Sequence, residues 1–179
     1  MNVAICDYGA GNTRSVEIAF ARLGALFTDD VERADLAVLP GVGSARSAMA
    51  GLRRRGLDDA LRERVDGGGR VLGICLGLQL ALDESEEDGG VEGLGIVPGR
   101  SVRLSEGRVP RIGWAAVDAL GGAFYFAHSY AAETPYATAH SEGIVAVVER
   151  GAFTGVQFHP EKSGAAGARF LESLCLSLV

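Results

Sequence analysis

Cys75 stands between two glycines in GICLG (73–77), directly after the apolar run RVLGI (70–74). Strand, glycine, any residue, nucleophile, any residue, glycine is the pattern of a nucleophile elbow. The glycines have a steric reason. The sharp turn strains the nucleophile's backbone and brings strand and helix close together, so bulky neighbours would clash. The start of a helix also favours an anion, and so thiolate over thiol at such a turn. A thiol alone does little without a base. The chain has three histidines: His128, His140 and His159. His159 follows the strand-like run from Phe153 to Phe158 and precedes Pro160, which stops the strand. Glu161, two residues on, could orient the imidazole by accepting its second N–H. Cysteine, base and orienting acid give triad logic on a thiol. His128, in FAHSY, also lies at a strand end and is the rival base, with no acid close by in sequence. His140 reads as a surface histidine.

Acyl chemistry also needs donors for an oxyanion. PGVGS (40–44) closes a strand just ahead of a helix, and its backbone amides could face the thiol, with the amide of Leu76 as a second donor. The loop matches neither GxGxxG nor GxxxxGK[ST], so a phosphate loop is disfavoured. Cys6, inside an apolar strand, and Cys175, in the last helix, read as structural thiols.

These residues need elements to position them. In the front half, NVAIC (2–6), DLAVLP (35–40) and RVLGI (70–74) read as short buried strands. Helices are expected over 12–23, where Val16, Ala19, Phe20 and Leu23 have helical spacing, from Ser44 through Leu52, over 57–65, and just after Cys75. Such alternation points to a parallel sheet wrapped by helices, with ligands at the carboxyl ends of its strands. In the back half, GLGIVPG, SVRL, FYFAH, YATAH, IVAVVE and FTGVQF are short and closely spaced, as antiparallel additions to the sheet would be. A final helix runs over about 165–176. The acidic stretch DESEEDGG (83–90) reads as an exposed loop. The expected fold is α/β: a mostly parallel sheet flanked by helices, with antiparallel additions in the C-terminal half. No repeat or linker divides the 179 residues, so one domain over 1–179 is expected.

The bulk composition narrows the class. The formal net charge is −6, and no basic footprint suggests a nucleic-acid or anionic-membrane surface. Arg53, Arg54 and Arg55 read as a solvated helix face. No segment approaches the roughly 18–20 apolar residues of a membrane span, and MNVAICDYGAG does not read as a signal peptide. Three cysteines without a CxxC pair suggest a reducing cytosol rather than disulfides or a zinc site. A soluble cytoplasmic protein with no metal or cofactor is expected.

LPGVG, GICLGLQ and QFHPEKSG together resemble the class I glutamine amidotransferase family. Within it, DYGAGNTRSV (7–16), LPGVGSA (39–45), GICLGLQL (73–80), VPRIGW (109–114), FYFAHSY (124–130) and GVQFHPEKSGAAG (155–167) are similar to the glutaminase subunits of imidazole glycerol phosphate synthase, which serve histidine biosynthesis. The resemblance runs nearly end to end. It implies that Cys75 attacks the side-chain amide of glutamine, that His159 shuttles the proton and that Glu161 orients His159. It puts Gly41, Val42, Gly43 and Leu76 at the oxyanion, and Gln79 with His128, Ser129 and Tyr130 on glutamine. It implies a (β/α)8-barrel cyclase partner in a heterodimer, fed with ammonia through a channel, and it turns Asn12, Trp114, Tyr125 and Lys162 toward that partner. Two features depart from the family. Ala115 replaces the usual asparagine after IGW, and the chain is trimmed around 119–126. Two other readings compete: a different glutaminase, of pyridoxal phosphate synthase or a stand-alone γ-glutamyl hydrolase, and a catalytically silent partner subunit. DYGAGN, IGW and HSY argue against the first, and the intact triad against the second.

Overall fold

The computed structural model describes residues 1–9 and 12–176. Ala10 and Gly11 of the DYGAGN segment lie outside the described residues. In chain order the elements are β1 (Asn2–Ile5), α1 (Thr13–Ala21), β2 (Leu26–Phe27), β3 (Leu36–Leu39), α2 (Ala45–Arg54), α3 (Leu57–Asp66), β4 (Val71–Ile74), α4 (Leu76–Leu80), β5 (Leu82–Ser85), β6 (Val91–Glu92), β7 (Val97–Arg103), β8 (Arg111–Ala116), β9 (Ala123–His128), β10 (Tyr130–Glu133), β11 (Ala137–Ser141), β12 (Ile144–Arg150), β13 (Phe153–Val156) and α5 (Gly164–Leu176).

The main sheet has the order β11-β12-β13-β4-β3-β1-β2. From β2 to β13 its neighbours run parallel, and β12 and β11 add antiparallel strands at one edge. This is the expected α/β architecture, with one refinement. The antiparallel additions do not all join the main sheet. Strands β10-β7-β5-β6 make a second, mixed sheet in which β5 and β7 run parallel, and β8 and β9 form a separate antiparallel pair. GLGIVPG and SVRL, read as separate strands, end in the single strand β7.

Local chemistry explains the front half. Asn12 caps α1 by accepting from the Ser15 N–H, and Ser44 caps α2 by accepting from the Ser47 N–H. Strands β3 and β4 are buried at all four positions, as parallel strands covered on both faces must be. Leu36 and Val38 turn to the side of Phe20, Phe126, Phe158 and Leu171; Ala37 and Leu39 turn to the side of Met49, Leu52 and Leu61. Two apolar layers thus clamp the sheet and fix where β4 ends.

The acidic stretch 83–90 is mostly exposed, as its composition suggests, but it is not a loop. It contains β5 and a 3-10 turn over Glu87–Gly89. Pairing of β5 with β7, far along the chain, overrides the local polarity. Among the described residues, no helix is long and apolar enough to cross a membrane.

Candidate active site

Cys75 sits in the one-residue gap between β4 and α4, with φ 54° and ψ −106°. A non-glycine residue in such a conformation stores strain and persists only when its surroundings fix it. Here they do. The Cys75 N–H donates to the Val156 carbonyl at 2.7 Å, and the Cys75 carbonyl accepts from Leu78 and Gln79 at 3.1 and 3.3 Å. A Cβ on Gly73 would press on the Phe153 ring and the backbone of Gly77 and Leu78; one on Gly77 would strike the Leu39 carbonyl. The two glycines let strand and helix approach closely enough to make the elbow.

Strand β13 runs parallel to β4, with Val156 opposite Ile74. The chain beyond β13 therefore emerges at the same sheet edge as Cys75. His159 is held there by its N–H, which donates to the Tyr125 carbonyl at 2.8 Å, and by its carbonyl, which accepts from Ser163 Oγ at 2.6 Å. Its Nδ1 lies 2.9 Å from Glu161 Oε1, both side chains being buried, and the Cys75 thiol is near enough to act on the charge of the ring. Burial opposes charge on this ring. The hydrogen bonds and negative charges of Cys75 and Glu161 outweigh it, and the His159 pKa is pushed up to about 9.

His128, the rival base, has the opposite environment. Burial, with the nearby charges of Arg111 and His159, brings its pKa down to about 4, although a hydrogen bond to the Tyr130 carbonyl works the other way. Nδ1 donates to that carbonyl at 2.8 Å. The neutral ring then keeps a lone pair on Nε2, which is buried without a protein partner. Among the described residues, no carboxylate bonds this ring.

Beside Cys75 lies a cavity of about 310 Å³, lined by Cys75, Val42, Gly43, Leu76, Gln79, His128, Ser129 and Tyr130 among others. All four residues expected to bind a substrate are on its wall, with three of the four expected oxyanion residues. The fourth, Gly41, packs behind the wall, where a Cβ would meet the Leu76 side chain and the Gly77 nitrogen. Tyr8 Oη donates to the Pro40 carbonyl at 2.7 Å and so anchors this loop from below.

Sequence reasoning missed Glu87, Pro110 and Ile112, which also line the cavity. It assigned no role to Gln157, which is fully buried and reaches the thiol. Glu87 was hidden in the acidic stretch. Gln157 was visible inside the QFHPE segment.

The four residues expected to face a partner are not buried. Trp114 is 58% exposed, which excludes a core role, and its ring meets that of Tyr125 edge-on at 6.0 Å. The Tyr125 ring lies 6.3 Å from His159. Lys162 is exposed and Asn12 half-buried. Ala115 pairs with Phe124 in the β8–β9 ladder and packs on the core. His140 is half-buried on β11, not fully exposed. Cys6 is buried, with burial pushing its pKa up to about 12, and half-buried Cys175 is raised for the same reason. Both fit inert structural thiols. Among the described residues, no group of three or more His, Cys, Asp or Glu could hold a metal ion.

A solved structure described as a glutamine amidotransferase superposes with a TM-score of 0.80, at 21% identity, over 98% of this chain and 97% of that one. This likeness supports the fold. Three curated relatives carry the name imidazole glycerol phosphate synthase subunit HisH. The protein from Chlorobaculum tepidum is 43% identical, over 96% of this chain and 98% of its own length. That from Methanothermobacter thermautotrophicus is 44% identical over 96% of each. That from Symbiobacterium thermophilum is 44% identical over 94% of this chain and 91% of its own length. The family model described as "Glutamine amidotransferase class-I" matches residues 5–177. With an elbow cysteine, a buried histidine–glutamate pair and near-complete coverage, the chain belongs to the class I glutamine amidotransferase family.

Proposed function

We propose that this chain is the glutaminase subunit of an imidazole glycerol phosphate synthase in histidine biosynthesis, acting as one amidotransferase domain over 1–179 in the cytoplasm. The observation that carries the chemistry is the line Glu161–His159–Cys75, whose thiol opens on the cavity. A cavity of about 310 Å³ is at the small end of ligand pockets, which suits one amino acid rather than a nucleotide.

In this reading the Cys75 thiol passes its proton to His159 and the sulfur attacks the side-chain carbonyl carbon of glutamine. The C–S bond forms, and the tetrahedral oxyanion is received by backbone N–H groups of the 41–43 loop and of Leu76. His159, holding a proton at neutral pH, gives it to the departing nitrogen. The C–N bond breaks, ammonia leaves and a glutamyl thioester remains. Water then attacks the thioester while His159 accepts its proton. The C–S bond breaks, His159 returns that proton to the departing sulfur, and glutamate is released with the thiol restored. Glu161 holds Nδ1–H and stabilises the charged ring. The Nε2 lone pair of neutral His128, the Gln79 carbonyl oxygen and the Glu87 carboxylate suit the α-ammonium. Ser129 and Tyr130 suit the α-carboxylate.

The partner in this reading is a (β/α)8-barrel cyclase subunit. Val42 and Ile112 line the cavity and are themselves exposed, and Trp114 stands exposed on the same strand as Ile112. Exposed apolar groups gathered at a pocket mouth mark a docking surface. A sealed mouth would deliver ammonia before it is protonated by water. The partner then forms imidazole glycerol phosphate and an aminoimidazole carboxamide ribonucleotide.

The test is glutamate release from glutamine by the purified chain: alone, with the cyclase subunit, and with cyclase plus its nucleotide ligand. Low activity alone and a large rise in the full mixture, absent in Cys75→Ala, is the expected result. Equal activity in all three mixtures would make the chain a stand-alone glutaminase and remove the synthase assignment.

A further inference from the structure

Gln157 is the residue beyond the end of β13 and is completely buried, between Val156 and Phe158, which are buried as completely in the apolar layer. A primary amide in such a place is costly unless both its ends are bonded. Both are, and both bonds lead to the site. Nε2 donates to Cys75 Sγ at 3.5 Å, and Oε1 accepts from Gln79 Nε2 at 3.1 Å. Gln79 Nε2 also donates to the Tyr130 carbonyl at 2.8 Å.

This second bond settles the orientation of Gln79. Its two N–H donors are spent on the Gln157 and Tyr130 oxygens, so the oxygen of its amide is left as an acceptor on the cavity wall. The backbone holds Gln157 in register. Its N–H donates to the Ala146 carbonyl at 2.9 Å, and the residue before it accepts from the Cys75 N–H at 2.7 Å. Nucleophile and relay are thus pinned to the same pair of parallel strands.

We propose that Gln157 is a further catalytic residue of the glutaminase: one amide N–H stabilises the Cys75 sulfur as an anion, and its carbonyl fixes Gln79 to present an acceptor to the substrate. The proposal rests on the reading of Cys75 as the nucleophile. A hydrogen bond to an anion is stronger than one to its neutral form, so this bond gains strength when the thiol loses its proton. Because the amide at the thiol also orients the amide at the substrate, one residue links attack to binding.

The test compares wild type with Gln157→Met and Gln157→Glu in the assembled synthase. Methionine keeps the volume and removes both hydrogen bonds; glutamate keeps the length and brings an acceptor to the sulfur. Two readouts are taken besides melting temperature. The first is the pH midpoint for alkylation of Cys75 by iodoacetamide, followed on its own peptide by mass spectrometry. The second is KM and kcat for glutamine. In Gln157→Met the midpoint rises by about one unit, the order expected for a lost hydrogen bond to a charged group, and KM rises about tenfold. In Gln157→Glu the midpoint rises further. A packing role alone would lower the melting temperature and leave the midpoint and KM in place, and that result overturns the proposal. Cys75→Ala is assayed alongside. If it keeps glutaminase activity, the nucleophile assignment has failed rather than the role of Gln157.

Discussion

The carbonyl oxygen of Leu39 occupies the space where a side chain on Gly77 would begin: an ideal Cβ there would sit 1.9 Å from it. Leu39 ends β3 and Gly77 is the second residue of α4, so this approach sets how tightly the helix packs over the sheet edge beside Cys75. Gly77→Ala must push α4 away or distort β3. We expect a loss of about 2–3 kcal/mol in urea unfolding, the range of overpacked sites. Glutaminase activity should fall more steeply than stability, because the elbow conformation of Cys75 depends on the same approach. Wild-type activity in Gly77→Ala would show that the elbow does not need this packing.

Much of this geometry was legible beforehand, for a local reason. The glycines flanking Cys75, the proline after His159 and the Ser44 cap act within a few residues, so pattern alone places them. The parts that were not legible depend on distant pairings. Strand β5 is polar at Asp83 and Glu84 and becomes a strand only because β7 lies beside it. Strand β2 has two residues, both exposed, and gives no periodic signal. Tyr130, seen as a site residue, also begins β10, which forms against β7. Gln157 looked like one more residue of an apolar strand run, since only the folded sheet brings its amide to the thiol.

His159 and His128 predict opposed pH limbs. The His159 pKa is raised from 6.5 to about 9, so its contribution to stability is fully present below pH 6.5 and is lost as pH rises through about 9. The His128 pKa is lowered from 6.5 to about 4, so its contribution is present above pH 6.5 and is lost as pH falls through about 4. As far as these two groups decide it, stability peaks near pH 6.5. Glu161→Gln should flatten the alkaline limb and lower glutaminase turnover by about 10- to 100-fold. His128→Gln should flatten the acid limb. Chemical denaturation at half-unit pH steps, with an NMR titration of both rings, checks the two signs. An alkaline limb unchanged in Glu161→Gln would mean that the carboxylate does not hold the charged ring.

Trp114 separates folding from assembly. Its side chain is mostly in solvent, and its ring meets that of Tyr125 edge-on. Trp114→Ala should therefore change the stability of the isolated chain by no more than about 0.5 kcal/mol. If the strand carrying Ile112 and Trp114 docks the cyclase, the same change should weaken the heterodimer by about 2 kcal/mol or more, roughly thirtyfold in Kd. Isothermal titration with the purified cyclase measures it. An unaltered Kd would move the docking surface away from β8.

Glu87 is the acid that the expected loop concealed. One carboxylate oxygen accepts from the Ala45 N–H at 2.8 Å, at the start of α2, and the side chain lines the cavity. Burial raises its pKa, as does the charge of Asp88, against the bond from Ala45. The bond to Ala45 is a helix cap, the proposed role toward substrate is a counter-charge for its ammonium, and two substitutions divide them. Glu87→Gln keeps an oxygen for Ala45 and removes the charge. We expect a stability change of about 1 kcal/mol or less, with KM for glutamine raised about tenfold or more. Glu87→Ala loses both and should add the cost of an uncapped N–H, about 1 kcal/mol. Unfolding curves and steady-state kinetics on the two variants distinguish the cases. If Glu87→Gln binds glutamine as tightly as wild type, the carboxylate serves α2 alone and the ammonium is held by Gln79 and His128.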